Sequence, residues 1–267
     1  MKIFSSGLQF EVETAGDKRA PAVLLTMGPG RQLTAGSEHL LTALVNAGFC
    51  VIRHDNRDIG LSSHLDVLGI PDALGVAGAH PVGVSMGGMI SQRIAAAAPD
   101  RVLSLPSVMR SSNAPGLHGS SPEVSRGLLT RPKSQSPHDV VDRTRDIFRL
   151  IGRPAYPQKR PISRQHLLDG VHRSYHRAGV SRPLLATMAD PQRHTLLPRI
   201  FCPTLVIHGE GDPLVPLACG QETAARIPGA RFEAIEGMGH DGPPGVAALR
   251  ATPIVPHFKS VPAGIPA

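Results

Sequence analysis

Aromatic side chains are scarce in this sequence: seven Phe, two Tyr and no Trp amount to 3% of 267 residues. A buried core must therefore be aliphatic, and the stacking platforms that hold single-stranded nucleic acid have little to be built from. Cysteine is sparse as well. Cys50, Cys202 and Cys219 are odd in number and lack metal-ligand spacing, which excludes a disulfide framework and a thiolate zinc site. Two of them sit in apolar, strand-like runs and read as small buried hydrophobes of a reducing compartment. No run of about 18 apolar residues occurs, so no transmembrane helix is expected. Met1–Glu13 lacks an apolar stretch long enough for a signal peptide. A cytoplasmic protein is the expectation.

What is present suits one large α/β domain, or a core domain with an inserted cap. Hydrophobic residues reach 41%, enough for a buried core, while 26 Pro and 28 Gly put much of the chain in turns and loops. The formal charge of +7 is unevenly spread. Between Ser111 and Pro198 there are 14 Lys/Arg against 6 Asp/Glu, a net of +8, leaving −1 for the rest. This basic segment reads first as a solvated surface. Weak contact with an anionic membrane surface and an acidic substrate are the alternatives, and nucleic acid is not expected as a partner.

Three zones follow from the pattern. Residues 1–110 alternate short apolar runs with Gly-rich turns, residues 111–198 are basic and rich in Pro and Ser, and residues 199–267 return to a strand–loop–helix rhythm. Strands are expected at Leu8–Thr14, Ala22–Thr26, Phe49–Arg53, Pro81–Val84, Val102–Leu105, Pro203–His208 and Arg231–Ile235. Helices are expected at Glu38–Ala47, Met89–Ala98 and Cys219–Ile227. The alternation implies a mainly parallel sheet with helices on both faces. Residues 1–110 and 199–267 would form the core, and 111–198 a basic helical cap.

The chemistry gathers at three places. Gly83-Val84-Ser85-Met86-Gly87-Gly88 matches G-x-S-x-G, follows a strand and opens a helix, the context of a nucleophile elbow. Such a turn lifts the Ser85 hydroxyl out of the sheet and aims the Met86 N–H at a developing oxyanion. A serine needs a base, and the base an orienting carboxylate, in the chain order Ser, Asp, His. Leu205–Pro216 (LVIHGEGDPLVP) ends a strand and places Asp212 before a helix. Glu210 is the competing acid, but Asp212 directly precedes Pro213 at the loop end. His240, in Gly237-Met238-Gly239-His240, follows the next strand, 28 residues beyond Asp212. That interval is about one helix and one strand, so both loops emerge at one sheet edge.

With these residues the sequence resembles α/β-hydrolase-fold enzymes over 1–110 and 199–242. More narrowly, it is similar to a group that includes aclacinomycin methylesterase and many actinobacterial lipases and esterases. Further support comes from Met27-Gly28-Pro29-Gly30-Arg31-Gln32 and from the run Val51–Ser63 (VIRHDNRDIGLSS). The resemblance implies that Asp55 and Arg57 brace a loop near the site. It implies a second oxyanion donor from the residue after Met27-Gly28. That residue is Pro29, which has no N–H, so Met86 stands alone unless a shifted register uses Gly30.

The sequence also departs from the family at three other points, where an incomplete core is expected. Leu65–His80, broken by Gly69, Pro71, Gly75 and Gly78, stands where a full helix belongs, leaving one sheet face thinly covered. After His240, six prolines leave room for at most a short helix at Val246–Arg250. Residues 111–135 read as loop. Lesser signals add little. His172 and His176 are four apart with His166 nearby, but no Cys or carboxylate completes a metal set, so neither metal nor cofactor is expected. Leu150-Ile151 and Leu184-Leu185 with Met188 read as the small apolar core of the cap, or else as an acyl pocket. The expected function is a serine hydrolase acting on a small-molecule or lipid carboxylic ester, or a thioester, through an acyl-enzyme. The alternatives are a cofactor-free haloperoxidase-like or C–C hydrolase on the same triad, and a silent hydrolase-fold protein that only binds.

Overall fold

The apolar runs become eight strands of one sheet. They are β1 (Lys2–Ser5), β2 (Leu8–Ala15), β3 (Ala22–Thr26), β4 (Cys50–His54), β5 (Ala79–Val84), β6 (Leu105–Val108), β7 (Thr204–Gly209) and β8 (Arg231–Ile235). The computed structural model describes residues 1–5, 8–28, 31–35, 37–56, 69–152, 163–175, 185, 189–240 and 244–261. The strand order is β1-β2-β4-β3-β5-β6-β7-β8. β1–β2 and β2–β4 pair antiparallel, and every later pair is parallel. β3 and β5 are buried along almost their whole length, as parallel strands covered on both faces must be.

Alternation along the strands divides the core. Val23, Leu25, Val51, Val82, Leu205 and Ile207 face α1 (Glu38–Asn46) and the C-terminal helix α8 (Pro244–Lys259). Leu24, Ile52 and Ala79 face the other way, with Ile3, Phe10 and Ile70 of the short helix α2 (Gly69–Ala73). On that side α3 (Met86–Ala97) brings Ile94 and Ala95 against Leu105, Leu197 and Ile227. Helix α7 (Leu217–Arg226) packs on β7 and β8. Three more helices, α4 (Pro122–Leu129), α5 (Pro137–Ile151) and α6 (Arg164–Arg173), lie between β6 and β7 in the chain and add nothing to the sheet. Each has a serine N-cap whose Oγ accepts a backbone N–H: Ser121 from Val124 (3.3 Å), Ser136 from Asp139 (3.2 Å) and Ser163 from His166 (3.0 Å). No helix among the described residues is long and apolar enough to cross a membrane.

Several expectations are corrected. The strand read at Val102–Leu105 is Leu105–Val108; Val102 makes only an isolated bridge to Ala79. Pro106 is tolerated within this strand because pairing with β5 begins only at Ser107. Helix α4 lies within the stretch read as loop. The prolines after His240 do not stop the chain at a short helix: α8 runs 16 residues with Pro253 and Pro256 inside. Each interior proline costs about 3 kcal/mol. Ile254 and Phe258, four residues apart, are fully or almost fully buried in the core, and Phe258 stacks near Phe49 (5.2 Å) and His80 (4.5 Å). Burying two such side chains contributes about 3–6 kcal/mol, which offsets the prolines. The face expected to be thinly covered is sealed. α2 has only five residues, yet Ile70 and the neighbouring Val12, Leu24 and Ile52 are 2% exposed or less.

Two histidines of this core carry a pH consequence. Burial pushes His54 and His80 down to about 4; for His80 the nearby His257 adds to the effect. Both therefore stay neutral when folded, while in the unfolded chain they take up protons near pH 6.5. Stability is complete above that pH and is lost as pH falls toward 4, by about 3 kcal/mol per histidine. Urea midpoints measured from pH 7 to 4.5 are expected to fall, and His80→Gln to flatten the slope. An unchanged slope in that variant contradicts the assignment.

Candidate active site

β5 leads into Ser85 and then directly into α3. Ser85 has φ 57 and ψ −119, a left-handed conformation rare for a residue with a Cβ. Its N–H donates to Val108 O (3.0 Å), and its carbonyl accepts from Gly88 N–H (2.8 Å), so the turn is held from both sides. Gly83 and Gly87 are required by close approach. A Cβ on Gly83 would lie 2.3 Å from Gly87 O, and one on Gly87 would lie 1.9 Å from Thr26 O. The sharp turn is thus possible only with glycine at both places.

The structure brings Ser85, His240 and Asp212 together. The Ser85 hydroxyl donates to His240 Nε2 at 2.9 Å, and His240 Nδ1–H donates to Asp212 Oδ2 at 2.6 Å. Asp212 lies after β7 and His240 after β8. Their loops touch backbone to backbone: Gly211 N–H donates to Met238 O (3.0 Å), and a Cβ on Gly209 would lie 2.2 Å from that oxygen. Glu210, the competing acid, is exposed. Asp212 Oδ1 accepts from Leu214 N–H (2.9 Å) and Val215 N–H (2.8 Å), so both carboxylate oxygens are committed.

Three supports escaped the sequence reading. His208, fully buried at the end of β7, donates Nε2–H to Val215 O at 2.7 Å and so holds the turn that holds Asp212. Burial lowers its pKa, which keeps it neutral beside the carboxylate. His240 N–H donates to Ile151 O (2.9 Å), the last residue of α5. Arg173 of α6 donates to Asp55 Oδ2 (2.8 Å), while Leu33 N–H donates to Asp55 Oδ1 (2.8 Å). Asp55 is fully buried and ties the segment after Gly28 to α6. A salt bridge between segments more than a hundred residues apart leaves no trace in local pattern.

On the oxyanion side, Met86 opens α3 and is buried; its N–H has no acceptor within the helix. Gly28 lies against Ser85, since a Cβ there would be 3.7 Å from Ser85 Oγ. Asn56 Nδ2–H donates to Met27 O (2.7 Å) and Arg31 N–H to Gly28 O (3.3 Å), fixing that strand end. Pro29, Gly30 and Arg57 lie outside the described residues, as do His176, Leu184 and Met188. Of the apolar residues read as cap core, Ile151 is buried but Leu185 is 62% exposed, so Leu185 packs neither a cap core nor a pocket. Next to the site, the Arg31 guanidinium stacks on the Phe148 ring of α5 at 4.9 Å.

A mostly parallel sheet covered on both faces, with a strained serine between strand and helix at its carboxyl edge, defines the class as an α/β-hydrolase fold. The chain belongs to the alpha/beta hydrolase family, whose model matches residues 29–250. It is similar to rhodomycin D methylesterase DauP of Streptomyces sp. (strain C5), with 29% identity covering 93% of this chain and 94% of that protein. A 2-hydroxy-6-oxononadienedioate/2-hydroxy-6-oxononatrienedioate hydrolase of Pseudomonas sp. is 25% identical over 80% of this chain and 78% of its own length. Among solved structures, 2-hydroxy-6-oxo-6-phenylhexa-2,4-dienoate hydrolase from Rhodococcus sp. strain RHA1 superposes with a TM-score of 0.79 at 20% identity, covering 97% of this chain and 99% of that one.

Proposed function

We propose that this α/β-hydrolase cleaves carboxylic esters through Ser85, His240 and Asp212, with lipid esters and thioesters within the same chemistry. The observation that carries the reading is the continuous hydrogen-bonded line from Ser85 Oγ through His240 to Asp212, at 2.9 and 2.6 Å, starting from a serine held at φ 57. His240 Nε2 takes the hydroxyl proton as Ser85 attacks the carbonyl carbon. The Met86 N–H, at the positive end of α3, stabilises the oxyanion. Collapse expels the alcohol, which leaves with the proton from His240, and water then resolves the acyl-enzyme by the same route. Asp212 keeps the proton on Nδ1, so that Nε2 is the basic nitrogen. Similarity to a methylesterase over nearly the full chain supports the ester reading.

A second reading has its own support. The Pseudomonas relative is a hydrolase of a 2-hydroxy-6-oxo dienedioate, a substrate class in which a C–C bond is cleaved. Kinetics on 4-nitrophenyl esters of increasing acyl length decide between them. Saturable, Ser85-dependent hydrolysis with a chain-length optimum is the expected result. Inertness toward every ester, with turnover of a vinylogous 1,5-diketo acid, transfers the site to C–C cleavage.

A further inference from the structure

At the carboxyl edge of the sheet stands a cation that the triad does not use. Arg110 stands two residues past the end of β6, after Met109 at φ 44. It sits against the first turn of the nucleophile helix: a Cβ on Gly88 would be 3.2 Å from Arg110 Cβ. Thr223 of α7 donates its hydroxyl to Arg110 O (3.4 Å), fixing the backbone there. The Arg110 Nε is sealed from solvent and has no hydrogen-bond partner, and no ion pair among the described residues involves this guanidinium.

The carboxylates whose fields reach Arg110 are engaged elsewhere. Asp190 is held by Arg93 Nε (2.9 Å) and by Arg193 Nη1 (3.0 Å). Asp212 is held by His240, Leu214 and Val215. Arg193, fully buried nearby, shows what a satisfied guanidinium looks like in this fold: it bonds Gln92 Oε1 (2.9 Å), Asp190 and Ser111 O. Burial, with Arg193 adding to it, pushes Arg110 down to about 10, so it is still a cation at neutral pH. A half-buried cation whose Nε is cut off from water without an acceptor is costly to keep, and a ligand carrying acceptors lowers that cost.

We propose that Arg110 anchors a carboxylate of the substrate, so that the ester cleaved at Ser85 also carries a free acid group. The inference rests on the hydrolase reading of Ser85 and narrows its substrate class. A planar guanidinium receives a carboxylate through two parallel N–H bonds, and the N-terminal end of α3 beside it favours an anion. The competing role is a counter-charge to Asp212 that never touches the substrate. That role affects all esters alike.

Two substrate pairs place the acid on either side of the scissile bond: mono-4-nitrophenyl glutarate against 4-nitrophenyl valerate, and 4-acetoxybenzoate against phenyl acetate. After correction for spontaneous hydrolysis, the protein is expected to favour the charged member of at least one pair in kcat/KM. Arg110→Gln is expected to lower that charged-to-neutral ratio about tenfold or more, mainly through KM, because a charge-assisted pair contributes about 1.5–3 kcal/mol. Arg110→Lys, which keeps the charge but loses the fork, is expected to fall between, and it decides the matter if the Gln variant does not fold. No preference in either pair, or an equal loss on charged and neutral esters, overturns the proposal. If no ester is turned over, the hydrolase reading has failed separately. Glutarate-induced thermal stabilisation of the unaltered protein, lost in Arg110→Gln, then still supports the anion site, and its absence overturns it.

Discussion

Ser85→Ala is expected to lower kcat on a 4-nitrophenyl ester by about 10⁴-fold or more, leaving only what the oxyanion contact and binding supply. The change removes one oxygen from a position that is only half-buried, and the backbone bonds of Ser85 to Val108 and Gly88 do not involve the hydroxyl. The fold should therefore survive. A companion variant separates catalysis from strain. Serine and alanine alike force a Cβ onto φ 57 at this position, whereas glycine accepts the conformation freely. Left-handed strain of this kind stores about 1–3 kcal/mol, and the extra unfolded-state freedom of glycine offsets about 0.4–1 kcal/mol of the relief. Ser85→Gly should be as inactive as Ser85→Ala but melt a few degrees higher. An Ala variant melting above the Gly variant in thermal denaturation contradicts the strain argument. An Ala variant within a few-fold of the parent activity removes Ser85 from the mechanism.

Asp212→Asn should be almost as damaging, and the reason lies in how the carboxylate is bonded. Oδ1 receives two backbone N–H groups, from Leu214 and Val215, and only an oxygen can occupy that place. The asparagine amide must therefore turn its NH2 toward His240 Nδ1. That nitrogen then has to accept, the imidazole proton moves to Nε2, and Nε2 can no longer take the Ser85 proton. An aspartate-to-asparagine change of this type costs about 10⁴ in kcat where a triad operates. KM should change little, because Asp212 touches no substrate. Steady-state kinetics on one ester are enough. A loss confined to KM, or smaller than about tenfold in kcat, contradicts the tautomer argument.

The site was legible in the sequence because its constraints are local. Gly83 and Gly87 are needed because a Cβ at either would lie about 2 Å from neighbouring backbone, and such glycines stand at fixed offsets from the serine. Asp212 and His240 were readable because each lies in the loop after a short strand, and parallel strands bring successive loops to one edge. Tertiary burial was less visible. The prolines of α8 contradicted a helix locally, and only the docking of Ile254 and Phe258 against α1 and Phe49 restores it. The extent of β6 is likewise set by its neighbours: Pro106 is tolerated inside the strand because pairing with β5 begins only at Ser107. The Arg173–Asp55 pair joins positions 118 residues apart, and no spacing rule reaches that far. Arg110 carried no motif at all. It stands out only once every neighbouring carboxylate has been accounted for.

Covalent labelling with a fluorophosphonate tests the central claim most directly, because the reagent reports an activated serine whatever the natural substrate. The phosphonyl group is expected on the peptide containing Ser85, and labelling should be lost in Ser85→Ala and strongly slowed in His240→Gln. A folded protein that takes up no label, or takes it up at a different serine, contradicts the account.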